Sequence, residues 1–226
     1  MNGKKIFLGV CLNGFTAPEF ISSLIRATAN CQLGGIGLHP GNTCVYQARN
    51  DLAASFLKSD CTHLLFVDSD LIFQPWHVDR ICSHDVPIVG GLYPIKTDGK
   101  LCVAVNDFHP EDRKPVLPSG CQQVRYVATG FMLIAREVFT KLLHSDGPAI
   151  EYQSDHPPHD TAWNFFRAEI REDKGRKRYL TEDWFFCQRW LELGGEVYAD
   201  REIFLEHVGK AIYPLQAQRK ELETCG

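Results

Sequence analysis

Between residues 6 and 91, short apolar runs alternate with amphipathic helical stretches, and that order restricts the fold more than anything else in the chain. Residues 6–12 read as a strand. Residues 17–30 read as a helix with Phe20, Leu24 and Ala27 on one face and Pro18 in the first turn. A short strand at 34–38 and a loop through His39, Pro40, Gly41 and Asn42 lead to a helix over 45–58, with Val45, Ala48, Leu52 and Phe56 facing the core. Strand 63–67, helix 76–83 opened by Pro75, and strand 86–91 continue the alternation. Strands separated by helices demand crossover connections, so the expectation is an α/β fold with a mostly parallel sheet covered on both faces.

The pattern then changes. Residues 101–105 and 124–127 are short apolar pieces between turn-forming segments, which predicts a small antiparallel sheet at the edge. A helix is expected over 136–143, and a long polar loop over 144–178 that is mobile until ligand binds. Helix 181–193 has Thr181 placed to cap it and Gly194-Gly195 to end it. Strands 197–199 and 203–205 close the chain. A length of 226 residues suits one large domain.

With 44% hydrophobic and 23% charged residues, the chain can bury a sizeable core. A net charge of −4 excludes a nucleic-acid binder that works through a general basic field, and no apolar run reaches the length of a membrane span. The nine cysteines form no CxxC pair, so zinc-ribbon spacing is absent. They read as reduced, mostly buried thiols of a cytoplasmic protein.

Strand 63–67 ends in Asp68-Ser69-Asp70 before apolar residues resume at Leu71. Two carboxylates at the end of a core strand are costly to bury without a cation. In extended chain alternate residues share a face, so both acids can meet one hard divalent metal. A polar turn with Asp70 capping the next segment explains them equally well. Four further features accompany them. Arg49-Asn50 on the second helix could reach a phosphate, or be merely solvated. Thr129-Gly130-Phe131-Met132 could let backbone approach a ligand, or be a bulge. Glu182-Asp183 opens a helix whose dipole alone favours acids there, yet the heavily apolar residues that follow suggest a start facing a cavity. His207 precedes Val208-Gly209 at a strand end. The loop His156-Pro157-Pro158-His159-Asp160 and the run 171–178 read as solvated segments, although the latter could also close over a diphosphate.

Taken in order, these pieces resemble nucleotide-sugar-dependent glycosyltransferases of the GT-A fold, closest to small single-domain bacterial or viral enzymes and Anp1-type mannosyltransferases. The matching parts are the first strand, Arg49-Asn50, and Leu64 to Asp70 as strand and DXD motif. They continue through Val89 to Pro94, Ala128 to Ile134, Thr181-Glu182-Asp183 and His207-Val208-Gly209. The resemblance implies a Rossmann-like domain over 1–226, with a nucleotide-binding half (1–127) and an acceptor and sugar half (128–226). It implies a hexosyltransferase-like enzyme that takes Mn²⁺ or Mg²⁺, a UDP- or GDP-sugar donor and a glycan-type acceptor. Asp68, Asp70 and His207 would hold the metal. Leu12, Asn13, Arg49, Asp68, Ser69, Gly130 and Phe131 would bind the donor nucleotide, and Glu182 and Asp183 would be catalytic. Two rivals remain open. A sugar-nucleotidyltransferase also needs paired acids and a metal, but Asn13-Gly14-Phe15-Thr16 is neither glycine-rich nor basic. A non-catalytic nucleotide-sugar-binding module is the other.

Overall fold

The structure is a computed structural model that describes residues 3–12, 16–40, 44–96, 105–106, 113–155, 161–173, 175–209 and 212–213. In chain order the elements begin with β1 (Ile6–Leu12), α1 (Pro18–Asn30), β2 (Leu33–Pro40), α2 (Val45–Lys58), β3 (His63–Asp68) and β4 (Leu71–Ile72). Next come α3 (Pro75–Ser83), β5 (Ile88–Leu92), β6 (Val105–Asn106), β7 (Cys121–Val124), β8 (Tyr126–Val127) and β9 (Phe131–Ala135). The chain continues with α4 (Arg136–Ile150), β10 (Glu151–Gln153), β11 (Thr161–Trp163), β12 (Glu169–Asp173) and β13 (Arg176–Leu180). It closes with α5 (Glu182–Glu192), β14 (Val197–Phe204), β15 (Glu206–Val208) and β16 (Ile212–Tyr213).

Seven strands form the central sheet in the order β2-β1-β3-β9-β5-β14-β7. The fold class expected from the sequence holds: β9 and β7 run against the other five strands, and small antiparallel sheets flank the main one. β1 and β3 are apolar on both sides because both sides are covered. On one face α1 and α3 bury Phe20, Ala27, Val78 and Ile81 against Leu8, Val10 and Leu65. On the other, α2, α4 and α5 bury Leu52, Phe56, Phe139 and Phe186 against Phe7, Leu64 and Phe66. β9 follows β8 in sequence but enters the sheet between β3 and β5, so its start lies at the edge where β3 and β5 end. No helix among the described residues is long and apolar enough to cross a membrane. The seven cysteines among those residues are all free.

The segment 144–178 departs from expectation. α4 runs on through Pro148 to Ile150, and two antiparallel hairpins, β10–β11 and β12–β13, follow where a mobile loop was expected. The charges concealed a strand alternation. Ile170, Glu172, Lys177 and Tyr179 face out, while Asp173 turns inward and accepts from Arg125 at 2.6 Å and Arg178 at 3.0 Å. Residues 156–160, with both loop histidines, lie outside the described residues. Likewise β14 is one strand, irregular between Asp200 and Phe204, where two were expected. The polar residues Asp200, Arg201 and Glu202 interrupt its apolar pattern without ending it.

Candidate functional site

β1, β3 and β5 end at the same edge of the sheet, and antiparallel β9 starts there. In open α/β sheets this edge is where ligands bind. β1 pairs Cys11 with Asp68, and Asp68 N–H donates to Gly130 O at 2.9 Å. The chain does not stay extended after Asp68. Ser69 and Asp70 form a turn into β4, so the expected shared face of the two carboxylates is replaced by two separate partner sets.

The first set surrounds Asp68. Arg49, one of three consecutive buried polar residues on α2, is 5% exposed. Its Nη2 donates to Asp68 Oδ1 at 3.1 Å, and its Nη1 makes a short contact with Glu182 Oε1 at the start of α5. Burial opposes the Arg49 charge, but Asp68 and Glu182 outweigh it and hold the guanidinium above its ordinary value. Burial pushes the Glu182 carboxyl up, with Arg49 pulling the other way. The neighbouring polar residues of α2 are equally engaged. Asn50 exchanges hydrogen bonds with the Phe166 backbone, and Asp51 meets His39, Tyr152 and Ser154. A polar triplet on a helix interior carries no sequence signal of burial, because each partner comes from a distant segment.

The second set surrounds Asp70. β15 pairs with β4, setting His207 opposite Leu71, and Val208 N–H donates to Asp70 O at 2.7 Å. His207 Nδ1 lies 2.8 Å from the Pro94 carbonyl, which can only accept, so Nδ1 carries the proton. Nε2 then faces Asp70 Oδ2 at 3.3 Å. A histidine whose Nδ1–H is fixed by a carbonyl while Nε2 faces a carboxylate is the arrangement metal-ligating histidines use. Lys96 Nζ adds a cation at 2.5 Å from the same Asp70 oxygen. Burial pushes the Asp70 carboxyl up, but His207 and Lys96 hold it below its ordinary value. These residues fit a divalent metal chemically. Asp68 is engaged with Arg49 instead of His207.

The other expected residues are placed as follows. Gly130 N–H donates to the Tyr93 hydroxyl at 3.0 Å, and a Cβ on Gly130 would sit 2.4 Å from that oxygen and 3.0 Å from Asp68 Oδ2. The glycine therefore admits Tyr93 and Asp68 to the backbone. Phe131 is fully buried with its ring against Phe73, so its side chain belongs to the core. Ser69 is buried in the turn, and Leu12 ends β1 half-buried. Asn13 lies outside the described residues. Thr181 occupies the cap position of α5, but its hydroxyl donates to Asp183 Oδ1 at 2.5 Å, and the same oxygen accepts Trp184 N–H at 2.8 Å. Sequence reasoning missed Tyr93 and Lys96. Tyr93 sits directly after a strand that ends at this edge, and that position is the signal that could have found it.

A different cluster lies along the sheet. His84, Cys121 and Asp200 are buried and bring one metal-capable atom each within 4.8 Å of one another. Here the charge is already compensated within the protein: Asp200 meets His84 Nε2 at 2.6 Å and Arg80 Nη2 at 3.0 Å and accepts Glu202 N–H at 2.8 Å. Burial, with Asp200 adding to it, pushes the Cys121 thiol up to about 12, so it is neutral.

No protein-family model and no curated protein matches the chain. Among solved structures, A197 from STIV is similar over 95% of both chains at 16% identity, with a TM-score of 0.57. The inositol-1-phosphate CTP transferase from T. maritima is 11% identical over 98% of this chain and 95% of its own, with a TM-score of 0.47. GalNAc-T7 with UDP, GalNAc and Mn²⁺ is 11% identical over 94% of this chain and 44% of its own, with a TM-score of 0.46. The likeness to A197 speaks for a shared fold.

Proposed function

We propose that the chain is a metal-dependent glycosyltransferase of the GT-A type that moves a sugar from a nucleoside-diphosphate sugar to an acceptor hydroxyl. The observation that carries this reading is the Asp70–His207 pair, with Nδ1 of the histidine held by Pro94 O beside the Arg49–Asp68–Glu182 ion pairs. Asp70 and His207 would hold Mn²⁺ or Mg²⁺, which when bound would neutralise charge building on the departing diphosphate. Lys96 would then leave Asp70 and face the phosphates as a point charge.

The remaining roles belong to the chain's own groups. Arg49 keeps Asp68 and Glu182 oriented, and Asp68 faces the ribose of a UDP- or GDP-sugar. Leu12 borders the base, and Ser69 presents backbone to the phosphates. Glu182 accepts from a hydroxyl of the donor sugar. Asp183 takes the proton of the acceptor hydroxyl at Oδ2, the oxygen its cap does not use.

The test is a thermal-shift panel of UDP-, GDP- and dTDP-sugars with and without Mn²⁺. A ligand at about 100 times its Kd adds ~2.7 kcal/mol, a rise of roughly 5–11 °C for a chain of this size. One nucleotide sugar should give a metal-dependent rise that Asp70→Asn removes. A panel flat in the presence of metal would overturn the reading.

A further inference from the structure

The two edges of the central sheet are finished differently. At one, β7 is four residues long and the chain before it folds back on it: Val116 bridges Gln122, and Leu117 N–H donates to Cys121 O at 2.7 Å. At the other, β2 is eight residues long, carries no charged side chain, and among the described residues has β1 as its only strand neighbour. Soluble proteins blunt such edges with charge, proline, bulges or covering chain, because an open apolar strand pairs with another strand. β2 has a register shift at Gly34 and ends in Pro40, and the stretch between them is regular.

The side chains at this edge are apolar as well. Parallel pairing sets Ile36 beside Leu8 and Leu38 beside Val10, with Leu65 and Val67 next in the same rows on β3. Residues side by side on neighbouring strands share a face, and on this face the β1 and β3 members are buried with Phe20 and Ala27 of α1. The rows then run out from under the helix, and Ile36 and Leu38 are 46% and 50% exposed. α1 adds Ile21 and Ile25, which are 41% and 61% exposed. At 100° per residue they lie on the flank opposite Arg26, whose Nη1 donates to Gln74 Oε1 at the start of α3. α3 in turn reaches β14 through Arg80 and Asp200, so the isoleucine flank looks the other way, towards β2. Four large aliphatic side chains gathered at one sheet edge mark an interaction surface.

We propose that this edge binds a second copy of the chain, β2 pairing antiparallel with β2 across a two-fold axis. A two-fold contact presents one strand to itself and closes at two copies. Because the β7 edge is covered, the joined sheet offers no further open edge for growth. An axis through Gly37 keeps the apolar faces together and sets Ile36 of one copy opposite Leu38 of the other. A one-residue slip would set each opposite a glycine that points to the other face. Ile21 and Ile25 of the two α1 helices then flank the seam. The strand is about 26 Å long, and sheet plus helix stands about 20 Å high. Joining two such edges buries on the order of 1,000 Å² in total, the size a specific interface needs. The strand brings no charge into the contact. This inference does not rest on the glycosyl-transfer reading.

The experiment is sedimentation velocity of the full chain from about 1 to about 100 µM, with amide hydrogen exchange measured at both ends of the range. A dimer should form towards the upper end, and the amides of residues 35–38 should gain protection as it does. Ile25→Glu changes an exposed helix position and keeps the fold. Its charge enters the contact twice by symmetry, so at roughly tenfold per copy it should raise the dimer Kd about 100-fold. Leu38→Lys should act likewise from the strand, and where it does not fold Ile25→Glu decides alone. Ile170→Lys, at an exposed aliphatic residue on the β12–β13 hairpin, should leave the dimer unchanged. A monomer throughout the range would overturn the proposal, and flotation of that monomer with phosphatidylcholine vesicles would assign the patch to a lipid surface instead. A dimer that survives Ile25→Glu, or a mass that keeps rising past two copies, would overturn it equally.

Discussion

Replacing Arg49 with methionine removes the cation between two carboxylates while keeping a long apolar stem in place. Arg49's side chain is 6% exposed, that of Glu182 11% and that of Asp68 30%. Stranding one partner of a buried ion pair costs about 3–5 kcal/mol. Asp68 is open enough to regain water, so the loss should sit at the lower end, ~3 kcal/mol, or roughly 6–12 °C in Tm. The loss should also depend on pH. Burial already raises the Glu182 carboxyl above its ordinary value, and without Arg49 it rises further. A carboxyl whose folded pKa exceeds its unfolded value contributes stability below the unfolded value and loses it as pH rises through the folded one. The deficit of Arg49→Met should therefore be full at about pH 7 and shrink towards pH 4, near the ordinary glutamate value. Adding Asp68→Asn and Glu182→Gln should restore most of the loss. Thermal and urea melts from pH 4 to 7 read all of this. A deficit below about 1 kcal/mol, or one equal at both ends of the range, would show that the guanidinium behaves as a surface partner and that the site's electrostatics are misread.

Asp70→Asn and His207→Ala should leave the chain folded and weaken Mn²⁺ affinity by about tenfold or more, measured by calorimetry; unchanged affinity per folded molecule would make His207 a core histidine. Because His207 and Lys96 hold the Asp70 carboxyl low against burial, its contribution to stability is present at neutral pH and lost as pH falls through that lowered value. The Tm difference between the wild-type chain and Asp70→Asn should accordingly close in acid. Gly130→Ala drives a methyl to 2.4 Å from the Tyr93 hydroxyl and 2.6 Å from its Cζ and should cost about 1–3 kcal/mol; melts that match the wild type would refute the contact. Asp183→Asn should lower sugar transfer by about 10²–10⁴-fold with donor binding intact, whereas Glu182→Gln should weaken donor binding more. Wild-type turnover in Asp183→Asn would leave that residue a helix cap.

Local pattern determined much of this protein. The apolar runs of β1 and β3 and the stripe of α2 were legible because side-chain periodicity reports burial directly, and α2 spans Val45–Lys58 as its stripe predicts. The acid-rich end of β3, the acid pair opening α5 and His207 were each visible as oddities. Their partners were not. Arg49 meets Glu182 across 133 residues and His207 meets Pro94 O across 113, separations that no periodicity encodes. The hairpin β12–β13 was hidden for a related reason. Its inward positions include Asp173 and Arg178, which pair with each other and with Arg125, so they look solvated until the partner is in place. The two acids of the DXD segment illustrate the division most sharply. The sequence alone left two outcomes for them, a cation or a polar turn, because carboxylates are costly to bury unpaired. Only the tertiary fold, by turning the chain at Ser69-Asp70 and pairing β15 with β4, decided that Asp68 would meet Arg49 while Asp70 meets His207 and Lys96.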